Sequence, residues 1–170
     1  DELVAQAFQE AVSNLPSNFS YTGSYNEASI EKVLTHTSAA NKGANITLVG
    51  TRAALNKLQS ITVANLSDAQ KAEYGQKGFL REWHGYVCAE LPTLFKKNSI
   101  SEFVFDNETV YALPTSQAKP VKLVTEGSPL VAETTEISDN VDMTREFAVI
   151  FRIGAVAIFD RLIGHIKITA

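Results

Sequence analysis

The stretch from Phe147 to Ile168 limits the fold more than any other part of this chain, because it is long enough to cross a bilayer. Its twelve Leu, Ile, Val and Phe residues offer about −5 kcal/mol on an insertion scale. Asp160 and Arg161, near its middle, together cost about +6 kcal/mol on the same scale, before Arg152 is counted. The stretch therefore belongs inside a folded domain. Phe147, Val149, Phe151 and Ile153 fall on one face, and Ile150, Arg152 and Val156 on the other. That alternation of β-branched and aromatic residues reads as a long strand, although the Ala-rich residues 154–158 leave a helix open. Gly164 breaks the run before a final strand over residues 165–169.

The remainder reads as alternating helices and short strands. Leu3, Ala7, Phe8, Ala11, Val12 and Leu15 recur at helical spacing over residues 2–15, and Pro16 stops the helix. Residues 17–26 read as a loop or ribbon. Residues 27–40 form a second helix that buries Ile30, Val33, Leu34 and Thr37, closed by Gly43 in a left-handed cap. Residues 46–49 form a β-branched strand, and Thr51 caps a helix over residues 52–59 with Leu55 and Leu58 inward. Ser67 and Gln70 make a capping-box pattern for a helix toward Tyr74, with Gly75 and Gly78 bracketing a turn. Residues 83–89 read as a strand, and residues 103–105 with 109–113 as a hairpin around 106–108. Residues 121–125 and 130–135 are strand candidates separated by Gly127-Ser128-Pro129.

At 170 residues with 45% hydrophobic and 20% charged residues, the chain suits one domain, or two lobes of one, and a folded rather than a disordered chain is expected. Its formal net charge of −4 opposes a phosphate backbone, and Lys96-Lys97 is only a pair, not a basic patch. A single cysteine, Cys88, rules out an internal disulfide and fits a reducing compartment. The chain opens Asp1-Glu2 with neither an initiator Met nor a secretory pattern, so a processed or truncated piece is expected. The sequons at Asn18, Asn45, Asn65 and Asn107 then read as chance.

Chemistry is scarce. His84 and Cys88 lie four apart with Glu82 and Glu90 nearby. On a strand such residues are about 13 Å apart, and no second Cys or HxxxH motif completes a tetrahedral set. A buried thiol and a turn histidine describe them better. No G-x-S-x-G elbow is present. The strand-to-helix junction Val49-Gly50-Thr51-Arg52 could hold an anion, but a capped helix start accounts for it more simply. Asp139, Asp142 and Glu146 with Arg145 read as surface charge or intersubunit pairing. Asp160 and Arg161 must pair within the chain, reach an edge, or face a neighbouring subunit. No catalytic, cofactor-binding or metal-binding residue is assigned.

Taken in order, the elements resemble the Hong Kong 97 type of tailed-phage major capsid protein, in its C-terminal portion. The resemblance rests on the helix over residues 2–15, the helix over 27–40, the strand 46–49 and the turn Thr51-Arg52. It rests further on Trp83-His84-Gly85-Tyr86-Val87, similar to that family's W-G-x-P-V stretch with Glu90-Leu91-Pro92 following, on residues 109–113 and 119–125, and on the closing residues 142–168. It implies an α+β fold in three parts: residues 1–16 as the end of the spine helix, 17–140 as the apical domain, and 141–170 as closing strands of the peripheral domain. The N-arm, E-loop and most of the spine helix are expected to be absent.

The function implied is a structural head protein without enzymatic activity, part of an icosahedral shell enclosing DNA. Its partners would be copies of itself in pentamers and hexamers, scaffolding and portal proteins, and packaged DNA only by weak non-specific contact. No membrane is involved. The protein would sit in the virion after assembly in the bacterial host cytoplasm, and this piece alone would be monomeric or weakly associated. Two other readings stand beside it: an encapsulin-like compartment shell, and a small-molecule enzyme or binding module around Cys88 and His84.

Overall fold

A computed structural model of the chain describes residues 2–13, 15–60, 65–115, 121–134, 146–157 and 163–169. The fold is α+β. Helix α1 (Glu2–Ser13) leads through a 3₁₀ turn (Ser17–Phe19) into strand β1 (Ser20–Gly23). Helix α2 (Glu27–Ala40), strand β2 (Ile46–Gly50), helix α3 (Arg52–Gln59) and helix α4 (Asp68–Lys77) follow. Strands β3 (Glu82–Trp83), β4 (Tyr86–Glu90), β5 (Thr109–Pro114), β6 (Val121–Thr134), β7 (Glu146–Ala157) and β8 (Gly164–Ile168) complete the chain.

Six strands form one mixed sheet in the order β1-β8-β5-β2-β4-β3. β1 runs parallel to β8 and β2 parallel to β4, while β8/β5, β5/β2 and β3/β4 are antiparallel. The β2 to β4 crossover is carried by α3 and α4, as parallel neighbours require. β5 sits between β8 and β2 and is buried on both faces. Val110 and Ala112 point into a core with Ile30, Leu34, Leu48, Leu55 and Leu58, beneath α2 and α3. Tyr111 and Leu113 point into a second core with Phe8, Ala11, Val104, Phe105 and Ile163, beneath α1. A strand with period two can serve two cores only when both faces are apolar, and β5 is built that way.

The helices form where the local chemistry asks for them. In α2 the buried residues are Ile30, Val33, Leu34 and Thr37, the i, i+3, i+4, i+7 stripe expected. Asn26 accepts the N–H of Ser29 at 3.1 Å to start the helix, and Gly43, at φ +77°, returns its N–H to Ser38 at 2.8 Å to end it. Thr51 caps α3 through the N–H of Ala54, and Ser67 with Gln70 forms the reciprocal box that opens α4. α2 reaches the sheet closely because β8 begins with glycine. A Cβ on Gly164 would stand 2.7 Å from Thr37 Oγ1 and 2.9 Å from Ala112 Cβ.

Several expectations require correction. Gly75 does not bracket a turn, since α4 runs through it to a cap at Gly78, φ +76°. Residues 83–89 are not one strand. His84 (φ +50°) and Gly85 (φ +82°) turn the chain, so β3 and β4 form a tight hairpin; positive φ at both central positions is the geometry that matches strand twist. Phe103 does not pair with β5 but bridges Phe95, because Asp106 closes a local turn by accepting the N–H of Glu108 and the hydroxyl of Thr109. Residues 17–26 include β1, whose partner β8 lies at the far end of the sequence.

β6 and β7 form a separate two-stranded sheet, so the long closing strand exists and a helix there is excluded. β6 is continuous through Gly127-Ser128-Pro129, with a register shift in which these three residues, between Glu126 and Leu130, oppose only Phe151, between Arg152 and Ile150. Irregular pairing is where a strand accommodates proline. α1 runs beside β7 and touches β6. The expectations for Asp139, Asp142, Arg145, Lys119, and the Asp160 and Arg161 pair lie outside the described residues. Among the described residues no helix is long and apolar enough to cross a membrane.

Candidate functional site

His84 and Cys88, the pair singled out in the sequence, are held by different partners. Cys88 lies on β4, buried in the main core. Its Sγ meets Gln59 Nε2 at 3.5 Å. Burial pushes its pKa up, outweighing the Gln59 hydrogen bond that lowers it, and Glu82 adds to the rise. The thiolate is therefore disfavoured, and the geometry is that of a packed thiol rather than a nucleophile. Glu90, close to Cys88 in the sequence, pairs with Arg52 at 3.2 Å.

His84 turns toward α2. Its Nδ1 stands 3.4 Å from Glu27 Oε1 and 3.4 Å from Glu31 Oε1, and the three ligand-type atoms lie within 4.8 Å of one another. Glu27 and Glu31 are one turn apart on α2 and so share a face. The two carboxylates make themselves felt at Tyr25, whose pKa is raised first by burial and then by Glu27 and Glu31. The ring of Trp83 lies 4.3 Å, centroid to centroid, from that of His84. Sequence reading ran a strand through His84 and named neither glutamate, because the contact forms only when the hairpin docks on the helix.

The other histidines are structural. His36 Nδ1 lies 2.7 Å from the carbonyl of Lys32 on the same helix. His165 is buried on β8, 3.0 Å from Ser20 Oγ and beside Tyr111. Burial lowers its pKa, Lys167 lowers it further, and Asp106 opposes them. Burial, then Asp106, pushes Tyr111 up to about 12. At the strand-to-helix junction, the Thr51 hydroxyl caps the N–H of Ala54 and Arg52 pairs with Glu90, as at an ordinary capped helix start.

A second surface is the lobe of residues 94–104. Its two arms are joined by Lys96 N–H to Glu102 O at 2.8 Å and Val104 N–H to Leu94 O at 2.8 Å, with Phe95 and Phe103 stacked at 5.0 Å. Lys97 N–H donates to Glu2 Oε1, tying the lobe to α1. Between them lies an open hollow of about 230 Å³ lined by Glu2, Gln6, Gln9 and Lys96, among others. The lobe leaves Ile100 92% and Phe95 53% exposed, next to Leu3 at 42%. Apolar side chains grouped in this way mark a contact surface more often than isolated ones do.

Comparison with known proteins defines the class first: this is a phage capsid-related protein. Within that class, the family model that matches is described as "SPbeta prophage-derived putative capsid protein YonB"; it covers residues 1–167, and the chain belongs to this family. No curated protein matches the chain.

Proposed function

We propose that the chain is a structural, non-enzymatic subunit of a phage head, built on the Hong Kong 97 type of fold and acting through contacts with copies of itself. The observation that carries this reading is the family match, which spans the six-stranded sheet and the β6–β7 ribbon alike. The exposed lobe of Phe95, Ile100 and Phe103 supports it, since a shell subunit needs apolar edges that a neighbour can cover.

The strand pairing supports one change to the three-part division. β6 and β7 pair with each other beside α1, whereas β8 lies inside the main sheet. On this reading the peripheral part takes α1, β6 and β7, and the apical part takes residues 17–115 together with β8. The acidic balance of −4 suits a wall that surrounds DNA without gripping it.

The test is the composition of particles released when a prophage carrying this gene is induced. Quantitative mass spectrometry should find the polypeptide among the most abundant particle proteins, at many copies per particle. Its absence from purified particles, or its presence at only a few copies, overturns the reading.

A further inference from the structure

We propose that Glu27, Glu31 and His84 form a surface site for a divalent transition metal, zinc in the first instance. Three observations carry it, and none depends on the capsid reading.

The first is the spacing. Zinc takes imidazole nitrogen at about 2.0–2.1 Å and carboxylate oxygen at about 2.0–2.2 Å. In a tetrahedron, ligand atoms at those radii stand about 3.4 Å apart. Both Nδ1–Oε1 separations are 3.4 Å. They are longer than a normal N–H···O hydrogen bond of about 2.7–3.2 Å, so the arrangement suits a shared central ion better than direct donation. The oxygens of Glu27 and Glu31 lie within 4.8 Å of each other. Both side chains are about half exposed and can rotate to shorten that edge.

The second is charge. Glu90, Glu102, Glu108, Glu73, Asp68 and Asp106 each pair with a lysine or arginine. Among the described residues Glu27 and Glu31 meet no lysine or arginine, and both converge on one imidazole. The two carboxylates bring negative charge that no lysine or arginine among the described residues offsets, and a divalent cation would offset it.

The third is ligand chemistry. An imidazole nitrogen suits zinc and its transition-metal neighbours, and zinc also takes carboxylate oxygen, whereas calcium needs six to eight oxygens. Three protein ligands leave a fourth position for water.

The experiment uses the untagged chain and zinc chloride, read by calorimetry and by the fluorescence of Trp83, which is the only tryptophan and lies against His84. Saturable binding of one equivalent, with a matching fluorescence change, is expected. His84→Asn removes the ligand yet suits the turn, because Asn-Gly is the favoured pair where both central residues have positive φ. Glu31→Gln removes the second ligand from an exposed helix face. Each variant should keep its circular dichroism and lose at least about tenfold in zinc affinity, since even groups behind a ligand cost that much. Absence of saturable binding in the unmodified protein overturns the proposal. So does a zinc affinity retained within twofold in either variant, which would place the ion at other residues.

Discussion

Replacing Gln59 with leucine removes a clamp on which the main core depends. Gln59 is the last residue of α3 and is buried. Its Nε2 donates to the carbonyl of Leu80 at 2.6 Å, and its Oε1 accepts the N–H of Leu80 at 2.8 Å. One side-chain amide thus satisfies both backbone groups of a buried residue at the point where the chain leaves α4 for β3. Leucine has similar bulk but no polar atoms, so both Leu80 groups lose their partner. Each buried orphan costs about 1–3 kcal/mol. The gain from burying leucine in place of an amide offsets about 1 kcal/mol of that. A net loss of about 3 kcal/mol is expected.

Urea unfolding followed by far-ultraviolet circular dichroism and by Trp83 fluorescence measures it. With a slope near 2 kcal/mol per molar, within the usual range for small proteins, the midpoint should fall by about 1.5 M at unchanged slope. Hydrogen exchange at the Leu80 amide should accelerate in the variant. Asn56→Ala is the control on the same helix. Asn56 is exposed and its side-chain oxygen accepts the hydroxyl of Tyr74, so loss of the side chain should cost no more than about 0.5 kcal/mol. A midpoint shift below about 0.5 M for Gln59→Leu, or equal shifts for the two variants, would refute the clamp.

Two further predictions follow from the packing. Gly164→Ala places a methyl group against Thr37 Oγ1 and Ala112 Cβ. It should cost about 1–3 kcal/mol in overpacking, and adding Thr37→Ala should recover part of the loss; additive destabilisation in a thermal melt would count against the close approach. His165, facing Ser20, Tyr111, Lys167 and Asp106, has a folded pKa below its unfolded value near 6.5. The unfolded chain therefore takes up its proton first as pH falls, so the contribution of His165 is complete above about 6.5 and declines below it. His165→Gln should flatten stability between pH 6.5 and 5, and an unaltered slope there would show that the residue is not held neutral.

What was legible in the sequence was mostly local. α2 and α3 could be read because the apolar stripe and the cap residues lie within a few positions of each other, and Thr51 and Ser67 act as written. β1 could not, since a short polar strand is specified by its partner, and Ser20 meets His165 from the far end of the chain. Phe103 was assigned to the wrong partner because sequence proximity favoured Thr109, whereas the aromatic stack with Phe95 and the Asp106 turn decide the pairing. Gln59 was overlooked, though a signal existed: it lies four residues after Leu55, so an amide sat on the apolar face of α3. A polar residue inside such a stripe needs partners, and that need points to a backbone group it must satisfy.

The same logic explains how two exposed groups are presented with defined geometry. His84 lies in a hairpin turn and Phe103 at a single β-bridge, where fixed geometry is not expected of a chain segment alone. Each is preceded or followed by residues anchored in a core: Trp83 packs with the α2–α3 core just before His84, and Val104 and Phe105 pack beneath α1 just after Phe103. The hairpin turn fixes His84 against the glutamates of α2, and the Phe95 stack fixes Phe103 at the base of the apolar lobe. The two surfaces therefore draw their rigidity from different cores. A substitution that loosens the α1 core, such as Phe8→Ala, should disturb the lobe while leaving the His84 cluster in place, and loosening Trp83 should do the reverse.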